Sequence, residues 1–418
     1  MKVLNVQRHD LKLAPHNARV IVCPFIPASD ERRKNILNRI LKLTDEEVER
    51  LTADTLQDFG KRHRGLEQML ERHFKAVSSL LPKGYTPTPA RRLLVGSYFT
   101  CEYAIEAAAL FNPSIVPHPD QSDLPVGSLR FIMSLRAVGE GHISSIEFRT
   151  GIIDKDGGMT IDPVTRYAST PQIVSKSSSE YKVQFPDETP VSERVLFPLS
   201  EDERNGIEDA RFVRFGDDDG DGTYYATYTA FDGREIMPRL LETKDFVTFR
   251  SLALSGKGIE NKGMALFPRK LNGRYAMISR QDGENLFLMY SDDVSTWNHK
   301  SDLLKPTFPW EFVQIGNCGS PIETDRGWLL LTHGVGPMRR YCIGAVLLDL
   351  NNPSTVLGRL EHPLLIPNET EREGYVPNVV YTCGAIEHAG MLIIPYATSD
   401  YTTTVASVSM KELLAAMV

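Results

Sequence analysis

The feature that most constrains this chain is a strand–turn–strand unit that recurs through its C-terminal three quarters. Ala210-Arg211-Phe212-Val213-Arg214-Phe215, a turn, and Thr223-Tyr224-Tyr225-Ala226-Thr227-Tyr228 form one copy. Met264-Ala265-Leu266-Phe267, the Asn272-Gly273 pair and Tyr275-Ala276-Met277-Ile278 form another, Asn-Gly being a strong hairpin signal. Ile322-Glu323, Arg326-Gly327 and Trp328-Leu329-Leu330-Leu331 repeat it, as do Cys383 to Glu387, Ala389-Gly390 and Met391 to Tyr396. The copies start at 210, 264, 319 and 383, which is 54, 55 and 64 residues apart. A further copy is expected within residues 95–165, around 128–136 and 142–150. Four-stranded units at such intervals are the signature of a β-propeller. The predicted fold is therefore mainly β, a five-bladed β-propeller over residues 91–410; two unrelated β-sandwiches are the alternative.

What precedes the repeats has a different period. Ile36, Leu37, Ile40 and Leu41 lie on one helix face, and Thr44-Asp45-Glu46-Glu47 is a capping box followed by Val48, Leu51, Leu56 and Phe59. Leu66, Met69, Leu70, Phe74, Val77 and Leu80 mark a further helix that stops at Pro82. Residues 1–90 thus read as an N-terminal segment with an α-helical extension, and residues 411–418 as a helical tail. The extension carries no evident chemistry. Its amphipathic helices would pack on the main domain or on a second copy, which points to a homo-oligomer.

Charge and cysteine usage exclude several classes. Lys+Arg number 47 against 54 Asp+Glu, a net of −7, which is unsuited to nucleic acid because phosphate backbones demand a broad basic face. Any anion must be held by a local gathering of cations. No apolar run approaches the roughly 18 residues needed to span a bilayer, so no membrane partner is expected. The first residues show no signal core, and the five cysteines are odd in number with no CxxC pair, which reads as reduced thiols. A cytoplasmic location is the expectation.

Polar residues at equivalent points of the repeats are the candidates for chemistry. They are Asn112-Pro113 and Arg136; Gly206-Ile207-Glu208-Asp209-Ala210-Arg211; Lys262-Gly263 and Arg280; Gly316-Asn317-Cys318-Gly319, His333 and Arg339-Arg340-Tyr341; and Tyr396-Ala397-Thr398-Ser399-Asp400. Residues 206–211, 262–268, 316–336 and 396–400 together resemble the motifs of glycoside hydrolase family 130, the inverting β-mannoside phosphorylases and related β-mannosidases. The resemblance covers about residues 95–410. Ala210 departs from it, standing where the family often has Pro, which loosens the backbone beside the acid and removes no functional group.

The resemblance implies a five-bladed propeller and phosphorolysis of a terminal β-mannoside to α-mannose 1-phosphate. It makes Asp209 the catalytic acid, acting through a sugar hydroxyl. It suggests Arg136, Lys262, Arg280, His333 and Tyr341 for phosphate, and Asn112, Arg149 and Asp400 for the mannosyl hydroxyls. Elementary chemistry is consistent with this. Inverting hydrolysis needs an acid and a water-activating base, whereas phosphate arrives anionic, so one acid and a cluster of cations suffice. Phosphate is then a co-substrate, and neither a metal nor an organic cofactor is implied.

Other readings stay open on the residues alone. Glu208-Asp209 also reads as a pair of solvated turn acids, Lys262 and Arg280 as surface charges, and His333 as a core histidine. A hydrolytic β-mannosidase would need a second carboxylate, for which Glu147 or Glu260 would serve, and a non-catalytic carbohydrate-binding propeller would need neither acid. The run Asp217-Asp218-Asp219-Gly220-Asp221-Gly222 lacks the flanking helices of a calcium loop and reads as an acidic hairpin turn. Gly139-Glu140-Gly141 and Gly334-Val335-Gly336 lack the strand–turn–helix context of a nucleotide loop. Acceptor choice is expected to rest on residues 117–127 and 305–312, with Trp310 as a sugar-stacking platform.

Overall fold

The computed structural model describes residues 4–216 and 222–417; all but the last residue of the acidic run at 217–222 lies outside them. The chain forms two compact units. One comprises Asn17–Ile105 with Thr165–Ser169, and the other the described residues up to His16, then Glu106–Val164, and those from Thr170 onward.

In the first unit, helices α1 (Asp30–Leu41), α2 (Asp45–Phe59) and α3 (Leu66–Val77) follow the apolar spacing read above. Thr44 caps α2 in a complete capping box, its side chain accepting from the Glu47 N–H. A fourth helix, α4 (Pro89–Tyr98), occupies sequence expected to be strand-like. Its start was legible: Thr88 accepts from the Arg91 N–H and Pro89 sits in the first turn, where its missing N–H costs nothing. Leu94, Val95 and Phe99 pack against Leu37, Ile40, Val48 and Phe74, so this helix completes the apolar cluster of the unit. The unit also holds the antiparallel pair Val20–Pro24 and Thr100–Ala104. The boundary expected near residue 90 therefore falls at 105, and the N-terminal residues up to His16 go with the β unit.

The β unit contains five groups of antiparallel strands. The first is Ala109–Pro117, Leu129–Val138 and Ser144–Ile153, edged by Met159–Ile161 and Val195–Leu196. The second is Gly206–Phe215, Thr223–Phe231, Ile236–Thr243 and Thr248–Ala253, extended by Glu180–Gln184 and Gln172–Lys176. One parallel pair, Gly206 with Ser144, links these two. Lys262–Leu266, Tyr275–Arg280, Leu286–Ser291 and Lys300–Leu304 make the third. In the fourth, Gln314–Asn317 and Ile322–Thr324 both pair with Gly327–Val335, followed by Tyr341–Leu348 and Val356–Arg359. In the fifth, Val380–Tyr381 and Ile386–His388 pair with Met391–Thr398, then Thr402–Ser409, and the N-terminal Gln7–Arg8 adds the outer strand. α5 (Met410–Ala416) follows.

Each strand group is apolar on both faces because each has a neighbour on both sides. Strand residues alternate in direction, so Met277 joins a cluster with Val213 and Phe215 of the second group, while Ile278 joins Trp328 and Leu330 of the fourth. Leu329 and Leu331 face the other way, onto Leu392 and Ile394 of the fifth. Phe148 and Phe212 share a cluster between the first and second groups, and Phe131 and Met133 one with Ile393 and Val405 of the fifth. The apolar contacts thus run from group to group and return from the fifth to the first.

Candidate active site

Four of the strand groups and the segments entering the fifth send polar side chains into one cavity of about 150 Å³. Asn112 and Arg136 come from the first group, Asp209 from the second, and Lys262 and Arg280 from the third. Gln314, His333, Arg339 and Tyr341 come from the fourth, and Val376, Val379, Tyr381 and Asp400 from the fifth and its approach. Of the nine residues singled out from the sequence, eight meet here; Arg149 does not.

The local backbone explains how these side chains turn inward. Asn112 (φ 50°) and Asp209 (φ 53°) adopt the left-handed conformation, each inside a break in the ladder register, and a third break lies between Lys262 and Ala265 at Gly263 (φ 89°). Asn and Asp tolerate this conformation better than most residues, and Gly adopts it freely. Such bulges re-aim one side chain while the remaining strand keeps its pairing. Ser399 and Asp400 occupy the same region of φ in the turn before Thr402–Ser409. Space for the His333 ring is supplied by Gly316, its cross-strand partner, where an added Cβ would sit 2.2 Å from the ring.

The electrostatics set the acids apart. Asn112 Nδ2 donates to Asp209 Oδ1 at 2.7 Å, and Arg136 Nη1 lies 3.4 Å from the same oxygen. Arg136 also donates to Glu208 at 2.8 Å through Nη2 and to Ser144 at 2.9 Å through Nε. Lys262 Nζ stands 3.8 Å from Glu208. Burial opposes the charge on Asp209, yet Arg136, Lys262 and Arg211 together outweigh it and hold the carboxyl well below the usual range. Asp400 behaves oppositely: burial, then repulsion from Asp209, raises it to about 6. Burial, Arg280 and Arg211 push His333 well below its ordinary value, leaving it neutral. Arg280 Nη1 lies 3.4 Å from His333 Nε2, and a guanidinium only donates, so Nε2 is the acceptor. His333 thus steadies a cation rather than being one. Four cations (Arg136, Lys262, Arg280 and Arg339) line the cavity with two acids, against the net negative charge of the chain.

Asp400 yields a pH prediction. Because its folded pKa exceeds its unfolded value of 3.8, folding holds this proton more tightly, and ionisation costs stability as pH rises from about 4 through about 6. Asp400→Asn should therefore raise stability at pH 8 by about 1–2 kcal/mol, roughly 1–2 °C in melting temperature. The gain should vanish below about pH 4, where both forms are protonated. An unchanged melting temperature at pH 8 would contradict this electrostatic picture.

Several expectations are corrected. Arg149 is buried and donates to Glu106 at 2.7 Å and to the Phe148 carbonyl, with Glu147 at 3.4 Å. It belongs to an ion cluster inside the first strand group and is not in the cavity. Glu147 is fully buried beside it, and Glu260 is exposed on the approach to Lys262; neither lines the cavity. Trp310 is not a sugar platform. Its indole is buried, donates to the Glu361 carbonyl, and packs so closely on Gly334 and Gly344 that no side chain fits there. Of the adjacent arginines, Arg339 lines the cavity, over the Tyr341 ring at 5.6 Å. Sequence reasoning gave no role to Glu208, Gln314 or Tyr381. Glu208 had a signal in its place beside Asp209, whereas Tyr381 had only its position at a strand end.

Fold and cavity define a class: a mainly β unit whose strand ends bring two acids, Asp209 and Asp400, together with a cluster of cations. Residues 90–418 match the family model of glycoside hydrolase family 130, described as beta-1,4-mannooligosaccharide phosphorylase. The chain belongs to that family. It is 35% identical over 228 residues to the 1,2-beta-oligomannan phosphorylase of Thermoanaerobacter sp. (strain X514), covering 52% of this chain and 73% of that protein. It is 34% identical over 226 residues to the beta-1,2-mannobiose phosphorylase of Listeria innocua serovar 6a, covering 52% of this chain and 61%, less than two thirds, of that relative. Among solved structures, the fold is similar to that of the Listeria innocua beta-1,2-mannobiose phosphorylase in complex with beta-1,2-mannobiose. The TM-score is 0.53 at 23% identity, over 74% of this chain and 92% of that one. A glycosyl hydrolase from Bacteroides ovatus gives a TM-score of 0.52 at 19% identity, over 74% and 86%.

Proposed function

We propose that this chain is an inverting β-mannoside phosphorylase. Inorganic phosphate attacks the anomeric carbon of a terminal β-mannosyl residue from the face opposite the departing oxygen. The C1–O bond to the acceptor breaks, a C1–O bond to phosphate forms, and the products are α-mannose 1-phosphate and a shortened acceptor. Asp209 supplies the proton to the departing oxygen by way of a sugar hydroxyl. Arg136, Lys262 and Arg280 hold the phosphate, with Tyr341 beside them and neutral His333 steadying Arg280; Asn112 and Asp400 hold mannosyl hydroxyls. The family match and the relatives named as mannoside phosphorylases support this reading.

The observation that carries it is the pairing of one acid with the cations around it. The cations that keep Asp209 ionised are among those that would grip phosphate. A dianion arriving between them offsets their charge and raises the proton affinity of Asp209, so the acid gains its proton as the nucleophile binds. A five-bladed propeller is part of the proposal, supported by apolar clusters that join each strand group to the next and the fifth to the first. So are a homo-oligomeric state, a cytoplasmic location, and the absence of a resident cofactor. Among the described residues no helix is long and apolar enough to cross a membrane.

The test is an assay of β-1,2- and β-1,4-mannooligosaccharides and mannosyl-glucose with and without phosphate. Sugar phosphate should form only with phosphate present. Undiminished release of free mannose in phosphate-free buffer would instead mark a hydrolase.

A further inference from the structure

Tyr381 lines the cavity, yet the reaction described above gives it no task. It stands on the short strand Val380–Tyr381 and is 9% exposed, with its ring centroid 4.9 Å from that of His333. The His333 ring also stacks with that of Tyr341, with centroids 5.9 Å apart. Arg211 Nη2 donates to the Tyr381 hydroxyl at 2.8 Å, and Arg211 Nη1 donates to the main-chain carbonyl of Asp209 at 3.3 Å. Arg211 itself is buried and does not line the cavity.

A guanidinium has five donors and no acceptor. The phenol oxygen of Tyr381 therefore spends a lone pair on Arg211 and keeps its own proton to give elsewhere. Among the described residues the Arg211 contact is the one hydrogen bond this hydroxyl makes. Burial, ahead of its charged neighbours, pushes the phenol upward, so it stays protonated at neutral pH. A hydroxyl that already accepts from a cation is a stronger donor, and Tyr381 lines the cavity where an anion would sit.

We propose that Tyr381 is a further anion-binding residue of this pocket, its hydroxyl donating to an oxygen of the bound phosphate, and that Arg211 is the positioning residue that commits it to donating. The inference rests on the phosphorylase reading. It assigns Arg211 two duties, fixing the direction of the Tyr381 hydroxyl and bracing the left-handed backbone of Asp209 through its carbonyl. It also makes position 381 distinguish hydroxyl from ring: phenylalanine would keep the contact with His333 and lose the donor alone.

The test measures initial rates of the purified full chain with phosphate and mannoside varied separately, and with sulfate as a competing anion. For Tyr381→Phe, the KM for phosphate should rise about ten- to a hundredfold, the range for losing one hydrogen bond to a charged acceptor. Sulfate inhibition should weaken by the same factor, while the KM for mannoside stays within about twofold. Arg211→Lys should raise the phosphate KM in the tyrosine background and add little in the phenylalanine background, since the two residues act as a unit. An unchanged phosphate KM in Tyr381→Phe, or an equal rise in both KM values, overturns the inference even where Arg211→Lys fails to fold. Turnover of the parent chain that ignores phosphate overturns the phosphorylase reading, and this inference with it.

Discussion

Asp209→Asn should lower turnover about a thousandfold while binding of sulfate or phosphate becomes about three- to tenfold tighter. The first effect follows from the loss of the proton donor, since a positioned general acid contributes roughly 10²- to 10⁴-fold. The second follows from the surroundings. Asparagine can still accept from Asn112, but Arg136, Lys262 and Arg211 lose the negative charge that they now offset. Removing a carboxylate a few ångströms from an anion site strengthens that site even at an effective dielectric constant of about 20. Misfolding would weaken both properties, so opposite signs identify the charge itself. Calorimetric titration with sulfate and single-turnover assays of sugar phosphate would measure them. Full turnover in the variant would remove Asp209 as the acid of the mechanism.

Arg136→Gln is expected to cost the most stability among the pocket substitutions. Arg136 ties Glu208, Asp209 and Ser144 together and lies over the Phe111 ring at 5.1 Å. Its removal leaves two neighbouring carboxylates with Lys262 and Arg211 as the remaining nearby cations. Breaking a buried pair in this way typically costs 3–5 kcal/mol, and partial access of water here reduces that to about 2–4 kcal/mol. A fall of roughly 2–5 °C in melting temperature is expected at pH 7.5. The sign with pH is fixed by Asp209, whose folded pKa lies below its unfolded value of 3.8. Its stabilisation by Arg136 is complete above about pH 4 and is lost as pH falls through the folded value. The gap between parent and variant should therefore persist from pH 8 down to about 4 and narrow below it. A constant gap down to pH 3 would mean that Arg136 acts by packing on Phe111 alone. The KM for phosphate should rise in the same variant, since Arg136 is one of three cations assigned to the anion.

These two residues differ in how visible they were. Asp209 stands in Gly206-Ile207-Glu208-Asp209, a motif with a recognisable neighbourhood. Arg136 was one arginine at the end of an apolar strand, and nothing in its surroundings distinguished it from Arg149 at a similar point of the next strand. The structure separates them: Arg136 meets Glu208 and Asp209, whereas Arg149 meets Glu106 and Glu147 in the interior. Both arginines sit in carboxylate clusters, Arg149 buried and Arg136 partly exposed where its cluster borders the cavity. Trp310 shows the same limit, because an indole beside an exposed loop and an indole filling the space above two glycines read alike.

The order of letters by itself determined the repeating strand units, their glycine turns, the helices of residues 30–77 and the kinds of residue at the strand ends. Those properties are local, since a hairpin turn or an alternation of apolar residues is written within a few positions. Only the tertiary structure decided which strand-end residues share a cavity. The reason is the ladder breaks at Asn112, Asp209 and Gly263, where the chain shifts register. A shift of one residue sends every following side chain to the opposite face, and the direction of Asp209 is settled by neighbours 73 and 97 residues away, that of Tyr381 by one 170 residues away.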